Sequence, residues 1–259
     1  MAIDTHRLFS VKSDEYAAAR PRYPRELFEY LSSLCPDASR AWDCGTGSGQ
    51  AAVALAEWFR EVDATDVSAQ QIANAVRHDR VRYSVQAAER TTFPAGCFSL
   101  VTVAQALHWF DFDRFWPEVH RVLRPAGIFA AWTYTTPHLS TDLDLIIERR
   151  LLEVIKGYWA PQNQLALVGY ATIPFPFQEL VAPPVAMQLP WNLEQFSAYL
   201  GTWSATRLCI DANGPEFFAA MKRDLAAAWG DPAQPREVRM DFFCRVGRLA
   251  PASQGRPVE

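Results

Sequence analysis

The chain has 259 residues, 49% of them hydrophobic, and a formal net charge of −4. This size and composition suit one large α/β domain or a domain plus an elaboration, and the mild acidity argues against nucleic acid or an anionic membrane as the main partner. The five cysteines are scattered without a C-x-x-C spacing, which argues against a disulfide framework and against a zinc site. The first residues do not form a signal peptide, and no apolar run approaches the ~20 residues of a membrane span. We therefore expect a cytoplasmic protein with no metal and no membrane partner.

Predicted strands and helices alternate through the first half of the chain. A helix follows Pro24, another follows the glycine-rich loop after residue 44 and extends to about Phe59, and a capping box at Ser68 begins a third that extends to about His78. The predicted strands are Arg40–Cys44, Val62–Asp66, Val81–Val85, Phe98–Val103 and Ile128–Trp132. This alternation predicts a parallel sheet with helices on both faces. Arg124 to Gly127 carries proline second and glycine fourth, which predicts a type I turn.

The second half of the chain departs from this alternation, because six prolines fall between residues 158 and 192. The elements predicted there are helices over Leu143–Ile155, Leu193–Leu200 and Glu216–Trp229, and a final strand over Val238–Leu249. We expect a single domain over residues 1–259. Its predicted parts are an N-terminal arm (1–23), a core (24–135), a cap (158–213) and a closing helix and strand (214–250).

The segment from Asp43 to Gln50 has the features of a nucleotide-type binding site. It carries glycines at 45, 47 and 49 between a strand and a helix, where bare backbone lets a ligand approach closely. A dinucleotide fingerprint would place its third glycine at residue 50, which is Gln50. Asp43, two residues before the first glycine, suits a cofactor with a positive group rather than a pyrophosphate. Asp66 ends the second strand, where a carboxylate can accept hydrogen bonds from ribose hydroxyls.

These motifs resemble class I S-adenosylmethionine-dependent methyltransferases. The matching segments are Asp43 to Gly49, Asp66 to Ser68, Ala87 to Glu89 and Arg121 to Gly127. The pattern Tyr16-x-x-x-Arg20-Pro21-x-Tyr23-Pro24 and the segment Gln105 to Phe110 resemble the small-molecule branch that includes trans-aconitate methyltransferase-like proteins. Ala126 departs from the family pattern, which usually has glycine there.

The resemblance implies a fold, a cofactor and a set of site residues. The fold is α/β, a Rossmann-like doubly wound sheet of seven strands in the order 3-2-1-4-5-7-6, with the last strand antiparallel and a small inserted cap. The implied cofactor is S-adenosyl-L-methionine. Its implied binding residues are Tyr16, Arg20, Asp43, Gly45, Thr46, Gly47, Gly49, Asp66, Val67, Ala88, Glu89 and Gln105.

His108 is the general base that we nominate, since it follows the fourth strand on the side where ligands bind in such sheets. A carboxylate acceptor needs no base, whereas a hydroxyl, phenol or amine can need one. An imidazole that only shapes the pocket is the competing interpretation. Trp109 and Phe110 either wall this pocket or pack in the core.

The acceptor is expected to be a small molecule that is methylated on a carboxylate or hydroxyl oxygen. Methylases of base nitrogens carry an Asp/Asn-Pro-Pro-aromatic loop after the fourth strand, and residues 104–107 here are Ala-Gln-Ala-Leu. Arg207 is either an acceptor-carboxylate ligand or a surface charge. Aromatic cap residues could line the acceptor pocket, namely Trp159, Phe175, Phe177, Trp191, Tyr199 and Trp203.

Two other functions stay open from the sequence. One is a cofactor-binding protein without catalysis, and the other is an NAD(P)-dependent oxidoreductase. We expect a monomer or a weak homodimer.

Overall fold

A computed structural model describes residues 21–250 of the chain. The predicted cofactor residues Tyr16 and Arg20 lie outside the described residues, as do most of the predicted N-terminal arm and the tail after residue 250.

The described chain alternates strands and helices up to residue 134 as predicted, except that no helix lies between Val85 and Phe98. The strands are β1 Arg40–Cys44, β2 Glu61–Asp66, β3 Val81–Val85, β4 Phe98–Ala104, β5 Leu123–Tyr134, β6 Gln178–Leu180, β7 Met187–Trp191, β8 Arg236–Met240 and β9 Phe242–Arg248. The α-helices are α1 Arg25–Leu34, α2 Gln50–Leu55, α3 Ala69–Ala73, α4 Phe112–Val122, α5 Thr141–Ile147, α6 Glu153–Ile155, α7 Asn163–Leu167, α8 Leu193–Gly201, α9 Ser204–Asn213 and α10 Glu216–Trp229. A π-helical segment, Glu148–Leu152, joins α5 to α6, and 3₁₀ turns occur at Leu107–Trp109 and Lys156–Tyr158.

A seven-stranded sheet has the order β3-β2-β1-β4-β5-β9-β6. The β1–β2, β1–β4, β2–β3 and β4–β5 pairs are parallel, whereas β9 runs antiparallel to β5 and to β6. Numbered by their order along the chain, the strands of this sheet stand 3-2-1-4-5-7-6. The predicted Rossmann-like fold, with its antiparallel last strand, is therefore confirmed.

Two hydrophobic clusters cover the faces of this sheet, and a third lies apart from it. Leu27 and Phe28 of α1 pack with Trp132 on one face, and Phe115 of α4 packs with Phe129 on the other. Successive buried residues alternate between the faces, as they do in a strand covered on both sides. The third cluster joins helices α5, α8, α9 and α10 to strands β7 and β8. We call it the cap cluster, and it faces the carboxyl ends of the central strands through Tyr134.

The predicted final strand, Val238–Leu249, is wrong as a single element. The chain bends at Asp241, whose N–H donates to Thr135 Oγ1 at 3.1 Å while its carbonyl accepts from the Thr135 N–H at 3.0 Å. Strand β8 before the bend pairs with β7 in a separate two-stranded sheet, and β9 after it joins the main sheet. Met240 consequently packs in the cap cluster, and Cys244 packs against the sheet.

Two predicted helices end early. Helix α2 gives way to turns after Leu55, and α3 ends at Ala73 rather than near His78. The Val76 N–H beyond α3 donates to the Ser48 carbonyl at 3.1 Å. This bond takes the chain off the axis of α3 and connects it to the glycine-rich loop.

The predicted type I turn over Arg124 to Gly127 is also wrong. Ala126, its third residue, has a φ of 60°, and a positive φ at that position is a feature of the type II turn. β5 begins at Leu123, so this turn lies inside the strand and shifts its register against β4 between Phe98 and Leu100. An L-residue in this conformation is strained, because its Cβ crowds the backbone.

The buried carboxylate of Asp43 connects four elements of the core. It is 1% exposed and accepts hydrogen bonds from Thr46 Oγ1 at 2.6 Å and from Thr102 Oγ1 at 2.9 Å. The Ala52 backbone N–H in α2 donates to it as well. Burial raises the pKa of Asp43 to about 6, against the opposing effect of these hydrogen bonds. The end of β1, the glycine-rich loop, α2 and β4 are thus held together by one side chain.

We predict that Ala126→Gly stabilises the protein. Glycine relieves strain of about 1–2 kcal/mol in the left-handed backbone at this position, but it also makes the unfolded chain more flexible. The expected net increase in the free energy of unfolding is therefore about 0.5–1 kcal/mol. Urea unfolding measures it. Ala95→Gly is the matched control, since Ala95 is exposed and has no positive φ, and it should lower stability. Equal destabilisation by both variants would contradict the strain at Ala126.

We predict that Asp43 makes stability fall as the pH rises from about 4 to 6. Its folded pKa lies above the value near 4 of an unfolded aspartate, so the native state binds more protons in this range. Relative to Asp43→Asn, the wild type should lose on the order of 2 kcal/mol of unfolding free energy between pH 4 and pH 7. Urea denaturation across the range tests this, with the exposed Asp79→Asn as control. Parallel pH profiles of the wild type and Asp43→Asn would show that the carboxyl titrates normally.

Candidate active site

A cavity of about 220 Å³ opens at the carboxyl ends of β1, β2 and β4, the edge where ligands bind in sheets of this kind. Eight residues predicted from the sequence line it, namely Gly45, Thr46, Gly47, Asp66, Val67, Ala88, Glu89 and Gln105. We call it the donor cavity. Gly49 and Asp43 do not line this cavity, and both instead support the loop that does.

The glycine-rich loop needs glycine at two positions for steric reasons. Gly45 has a φ of 67°, and a Cβ there would lie 2.7 Å from the Ala106 Cβ. Gly49 has a φ of 85°, and a Cβ there would lie 2.2 Å from the Tyr83 hydroxyl. The loop therefore packs directly against the segment after β4, which brings the donor cavity beside that segment. A Cβ at Gly47 would meet nothing within 4 Å, so the loop backbone there borders open space.

Asp66, at the end of β2, holds the loop and faces the donor cavity. Its Oδ2 accepts from the Gly47 N–H at 2.9 Å, and its Oδ1 accepts from the Ser68 N–H at 2.9 Å. An ionised carboxylate can accept about four hydrogen bonds. These two backbone bonds fix the orientation of the carboxylate and are compatible with bonds to a pair of ligand hydroxyls.

A larger cavity, of about 480 Å³, lies between the sheet edge and the cap cluster. We call it the acceptor cavity. Gln105, Trp109 and Tyr134 line both cavities, so the two share a wall. The larger one also holds both charge signs, with Glu148, Glu153, Lys156 and Arg207 on its walls.

The structure brings only some of the predicted aromatic residues to the acceptor cavity. Trp159, Tyr199 and Trp203 line it. Trp191 instead packs on Tyr199, with ring centroids 5.1 Å apart. Phe175 and Phe177 are half-buried and pack against the core, where both contact Phe129. Arg207 lines the acceptor cavity, which agrees with its interpretation as a ligand for an acceptor carboxylate.

Gln105 stands where the two cavities meet and has a strained backbone. Its φ is 57°, in the left-handed region that disfavours residues other than glycine. Its Oε1 accepts from Thr133 Oγ1 at 2.9 Å, and its Nε2 donates to the Tyr134 carbonyl at 3.4 Å. Backbone strain of this kind is often found at functional sites.

His108 lies in the acceptor cavity and not in the donor cavity. It is 5% exposed, and its Nδ1 is 3.2 Å from the Tyr170 hydroxyl oxygen. Burial lowers the pKa of His108 to about 4. The imidazole is consequently neutral at physiological pH, as a hydrogen-bond acceptor or base must be.

Several polar residues of the donor cavity were not assigned to a site from the sequence. They are Ser48, Gln50, Ser68, Gln71 and Gln86. Each lies within a few positions of the end of β1, β2 or β3. This placement is the sequence signal that could have assigned them to the cavity. In the sequence, Gln50 argues against a dinucleotide site and Ser68 marks the start of a helix. The Ser68 side chain does cap that helix, since it accepts a hydrogen bond from the Gln71 N–H at 3.3 Å.

The donor cavity fits an adenosine cofactor without phosphates. It offers Asp66 for ribose hydroxyls, an exposed apolar edge at Val67, and glycine backbone bordering open space. None of the cationic residues of the described chain lines it, so nothing there would neutralise a pyrophosphate. Within residues 21–250, no group of three His, Cys, Asp or Glu side chains is placed to hold a metal ion. No described helix is long and apolar enough to cross a membrane.

Comparison with known proteins agrees with this geometry. Residues 42–131 match the family described as a methyltransferase domain. A Dictyostelium discoideum protein named as a methyltransferase is 32% identical over 225 residues, covering 85% of this chain and 86% of the relative. Methyltransferase pgmE of Aspergillus terreus is 30% identical over 169 residues, and the match spans 56% of this chain and only 50% of that relative.

Solved structures agree at the level of the whole chain. A structure from Anaeromyxobacter dehalogenans, named as a type II methyltransferase, has 43% identity and a TM-score of 0.82, covering 90% of this chain and 99% of its own. A methyltransferase structure from Anabaena variabilis, with 18% identity and a TM-score of 0.55 over 88% of this chain and 99% of its own, shares the fold. The oxidoreductase alternative finds no support here, and the trans-aconitate branch stays a prediction. The chain belongs to the class I S-adenosylmethionine-dependent methyltransferases.

Proposed function

We propose that this methyltransferase transfers the methyl group of S-adenosylmethionine to an oxygen, carboxylate or hydroxyl, of a small organic acceptor. The observation that carries the proposal is the pair of cavities with a common wall at Gln105, Trp109 and Tyr134. Methyl transfer requires donor and acceptor to meet in line with water kept out. Two adjoining cavities at the carboxyl edge of the sheet would let the donor and the acceptor meet in this way.

The donor cavity would hold the cofactor through residues on three successive strand ends. Asp66 would accept hydrogen bonds from the ribose hydroxyls, with Val67, Ala88 and Glu89 along the adenine. The loop backbone at Gly45, Thr46 and Gly47 would lie against the methionine end. Asp43, which does not line the cavity, would act by holding this loop in place. When bound, the cofactor supplies a methyl group on a positively charged sulfur.

The acceptor cavity suits an aromatic or otherwise apolar small molecule. Its volume, about 480 Å³, lies within the range of ordinary ligand pockets. Trp159, Tyr199 and Trp203 offer flat apolar surfaces. Arg207 would bind an acidic group of the acceptor, and His108 would receive a proton from a hydroxyl. The formal net charge of −4 does not favour a nucleic acid as the acceptor.

A reducing cytoplasm is the location we propose. All five cysteines are free thiols in the structure, and two of them, Cys44 and Cys209, are buried. Free thiols in a chain of this kind suit a compartment that keeps them reduced.

We predict that S-adenosylhomocysteine stabilises the protein through Asp66. A hundredfold excess over the dissociation constant contributes about 2.7 kcal/mol, which raises the melting temperature of a domain of this size by roughly 5–10 °C. Asp66→Ala should weaken binding about 100-fold, because two charge-assisted hydrogen bonds are lost. Calorimetric titration measures this directly.

The exposed acid Asp79, which lies beyond α3, provides the control. Asp79→Ala should bind S-adenosylhomocysteine as the wild type does. Since Asp66→Ala also removes bonds to Gly47 and Ser68, the ligand-induced shift, and not the melting temperature itself, is compared. Wild-type protein that binds no S-adenosylhomocysteine would contradict the cofactor site, and unchanged binding by Asp66→Ala would contradict the role of Asp66.

The acceptor is tested by incubating the protein with methyl-labelled S-adenosylmethionine and a metabolite extract. We expect a labelled small molecule, heavier by one methylene group, that does not form without the protein. Label that appears only in protein or nucleic acid would contradict a small-molecule acceptor.

A further inference from the structure

The acceptor cavity has two chemically different ends. One end is the wall shared with the donor cavity, where Gln105, Trp109 and Tyr134 follow or terminate strands β4 and β5. The other end belongs to the cap, where α9 and the 3₁₀ turn Lys156–Tyr158 contribute lining residues. Helix α9 packs against this turn, α6 and α8, which all contribute to the cap cluster. An acceptor that fills the cavity would therefore reach from the sheet edge to the cap.

Arg207 is the cation at the cap end that is better shielded from water. It is half-buried, whereas Lys156, the other cation on this wall, is exposed and pairs with Glu153 at 2.5 Å. A charge partly withdrawn from water attracts an opposite charge more strongly than an exposed one does. The guanidinium has five N–H donors in a planar fork and can bind a carboxylate through two of them. The cap end is therefore suited to a carboxylate of the acceptor.

Arg207 lies at the edge of a surface made of aromatic rings. Its backbone N–H donates to the Trp203 carbonyl at 3.0 Å, so the two residues share a face at the start of α9. The Trp203 ring packs against the rings of Trp159 and Tyr199, with 5.7 Å between centroids in each pair. All three aromatic residues line the cavity. A flat acceptor lying on these rings would direct its acidic group to Arg207.

Within the described chain, the shared wall offers no positive side chain to a carboxylate. Its residues are Gln105, Trp109 and Tyr134. His108, which also lines the acceptor cavity, is a neutral imidazole because burial lowers its pKa to about 4. Neutral amide, imidazole and phenol groups are hydrogen-bond partners for a neutral hydroxyl. The end of the cavity beside the donor is therefore suited to a hydroxyl group.

The carboxylates on the cavity wall do not favour a cationic acceptor. Glu148 and Glu153 are both exposed, and Glu153 is paired with Lys156. Exposed charges are screened by water and salt and contribute little to binding. The half-buried guanidinium therefore sets the preferred charge of the acceptor.

We propose that Arg207 determines the specificity of the acceptor cavity and that the acceptor is a flat hydroxy acid, bound by its carboxylate at Arg207 and methylated on a hydroxyl at its other end. This inference rests on the function proposed above and narrows its acceptor. The two oxygen groups have different roles, since the carboxylate anchors the molecule and the hydroxyl reacts. The product is a methyl ether and not a methyl ester.

The reaction is balanced in atoms and electrons. The carbon–sulfur bond of the cofactor breaks with its electron pair left on sulfur, and a carbon–oxygen bond forms to the hydroxyl oxygen. The hydroxyl proton passes to His108 and then to water. No oxidant or further reactant is needed.

The first test measures the charge preference of the cavity by calorimetric titration. The probes are para-hydroxyphenylpropanoic acid and para-hydroxyphenylacetic acid, the uncharged amide of each, and the amine tyramine. We expect one or both acids to bind at least tenfold more tightly than the matching amide and than tyramine, because a carboxylate forms charge-assisted bonds with a guanidinium. An amide or amine that binds as tightly as the acids overturns the proposal, and so does the absence of binding by both acids.

The second test assigns that preference to Arg207. Arg207→Gln should weaken binding of the acid at least tenfold and leave binding of the amide unchanged, whereas Arg207→Lys should keep part of the preference. Arg149→Gln is the matched control, since Arg149 is exposed on the π-helical segment and does not line the cavity. All three variants should bind S-adenosylhomocysteine as the wild type does. Equal losses of acid and amide binding in Arg207→Gln would show a structural role and contradict the proposal.

The third test identifies the methylated oxygen with methyl-labelled S-adenosylmethionine and the acid that binds. We expect a labelled product that survives alkaline hydrolysis, as a methyl ether does and a methyl ester does not. An ester overturns the proposal and leaves the proposed methyltransferase function intact. The titrations are made with and without S-adenosylhomocysteine. If this ligand does not bind, the proposed function fails, and the titrations without it still decide the preference for an acid.

Discussion

The buried carboxylate of Asp43 is the interaction on which the rest of the site depends. It accepts hydrogen bonds from the loop through Thr46, from β4 through Thr102 and from α2 through the Ala52 N–H. Burying a carboxylate is costly unless it is hydrogen-bonded, so these partners are held at fixed distances. The loop can then pack against Ala106, and the donor cavity forms next to the segment after β4.

The position of β4 connects the cofactor side of the molecule to the acceptor side. β4 is buried along almost its whole length, and the left-handed Gln105 follows it directly. Beyond Gln105 the chain carries Trp109 into the common wall and His108 into the acceptor cavity. The two substrates would therefore meet at the end of one rigid strand. A catalytic geometry is held more accurately by such an element than by a loop.

The cofactor half of the molecule could be predicted from the sequence because its signals are local. β1 and β3 have the predicted bounds, and eight predicted residues line one cavity. Alternating glycines, an acid at the end of β2 and apolar strands buried on both faces each act over a few residues. Asp43 was singled out as well, but which of its neighbours it bonds depends on packing and could not be deduced from spacing.

The acceptor half could not be predicted, because it depends on contacts between distant parts of the chain. The bend at Asp241, which sends β8 to the cap cluster and β9 to the main sheet, depends on Thr135 more than a hundred positions earlier. The Tyr170–His108 contact joins residues 62 positions apart. Phe175 and Phe177 are aromatic residues typical of a pocket wall, but they pack against the core at Phe129.

A crystal structure of the complex with S-adenosylhomocysteine tests the central claim most directly. We expect the ribose hydroxyls within hydrogen-bond distance of Asp66 and the sulfur at the wall formed by Gln105, Trp109 and Tyr134, facing the acceptor cavity. A ligand bound elsewhere, or one whose sulfur points away from that wall, would contradict the account.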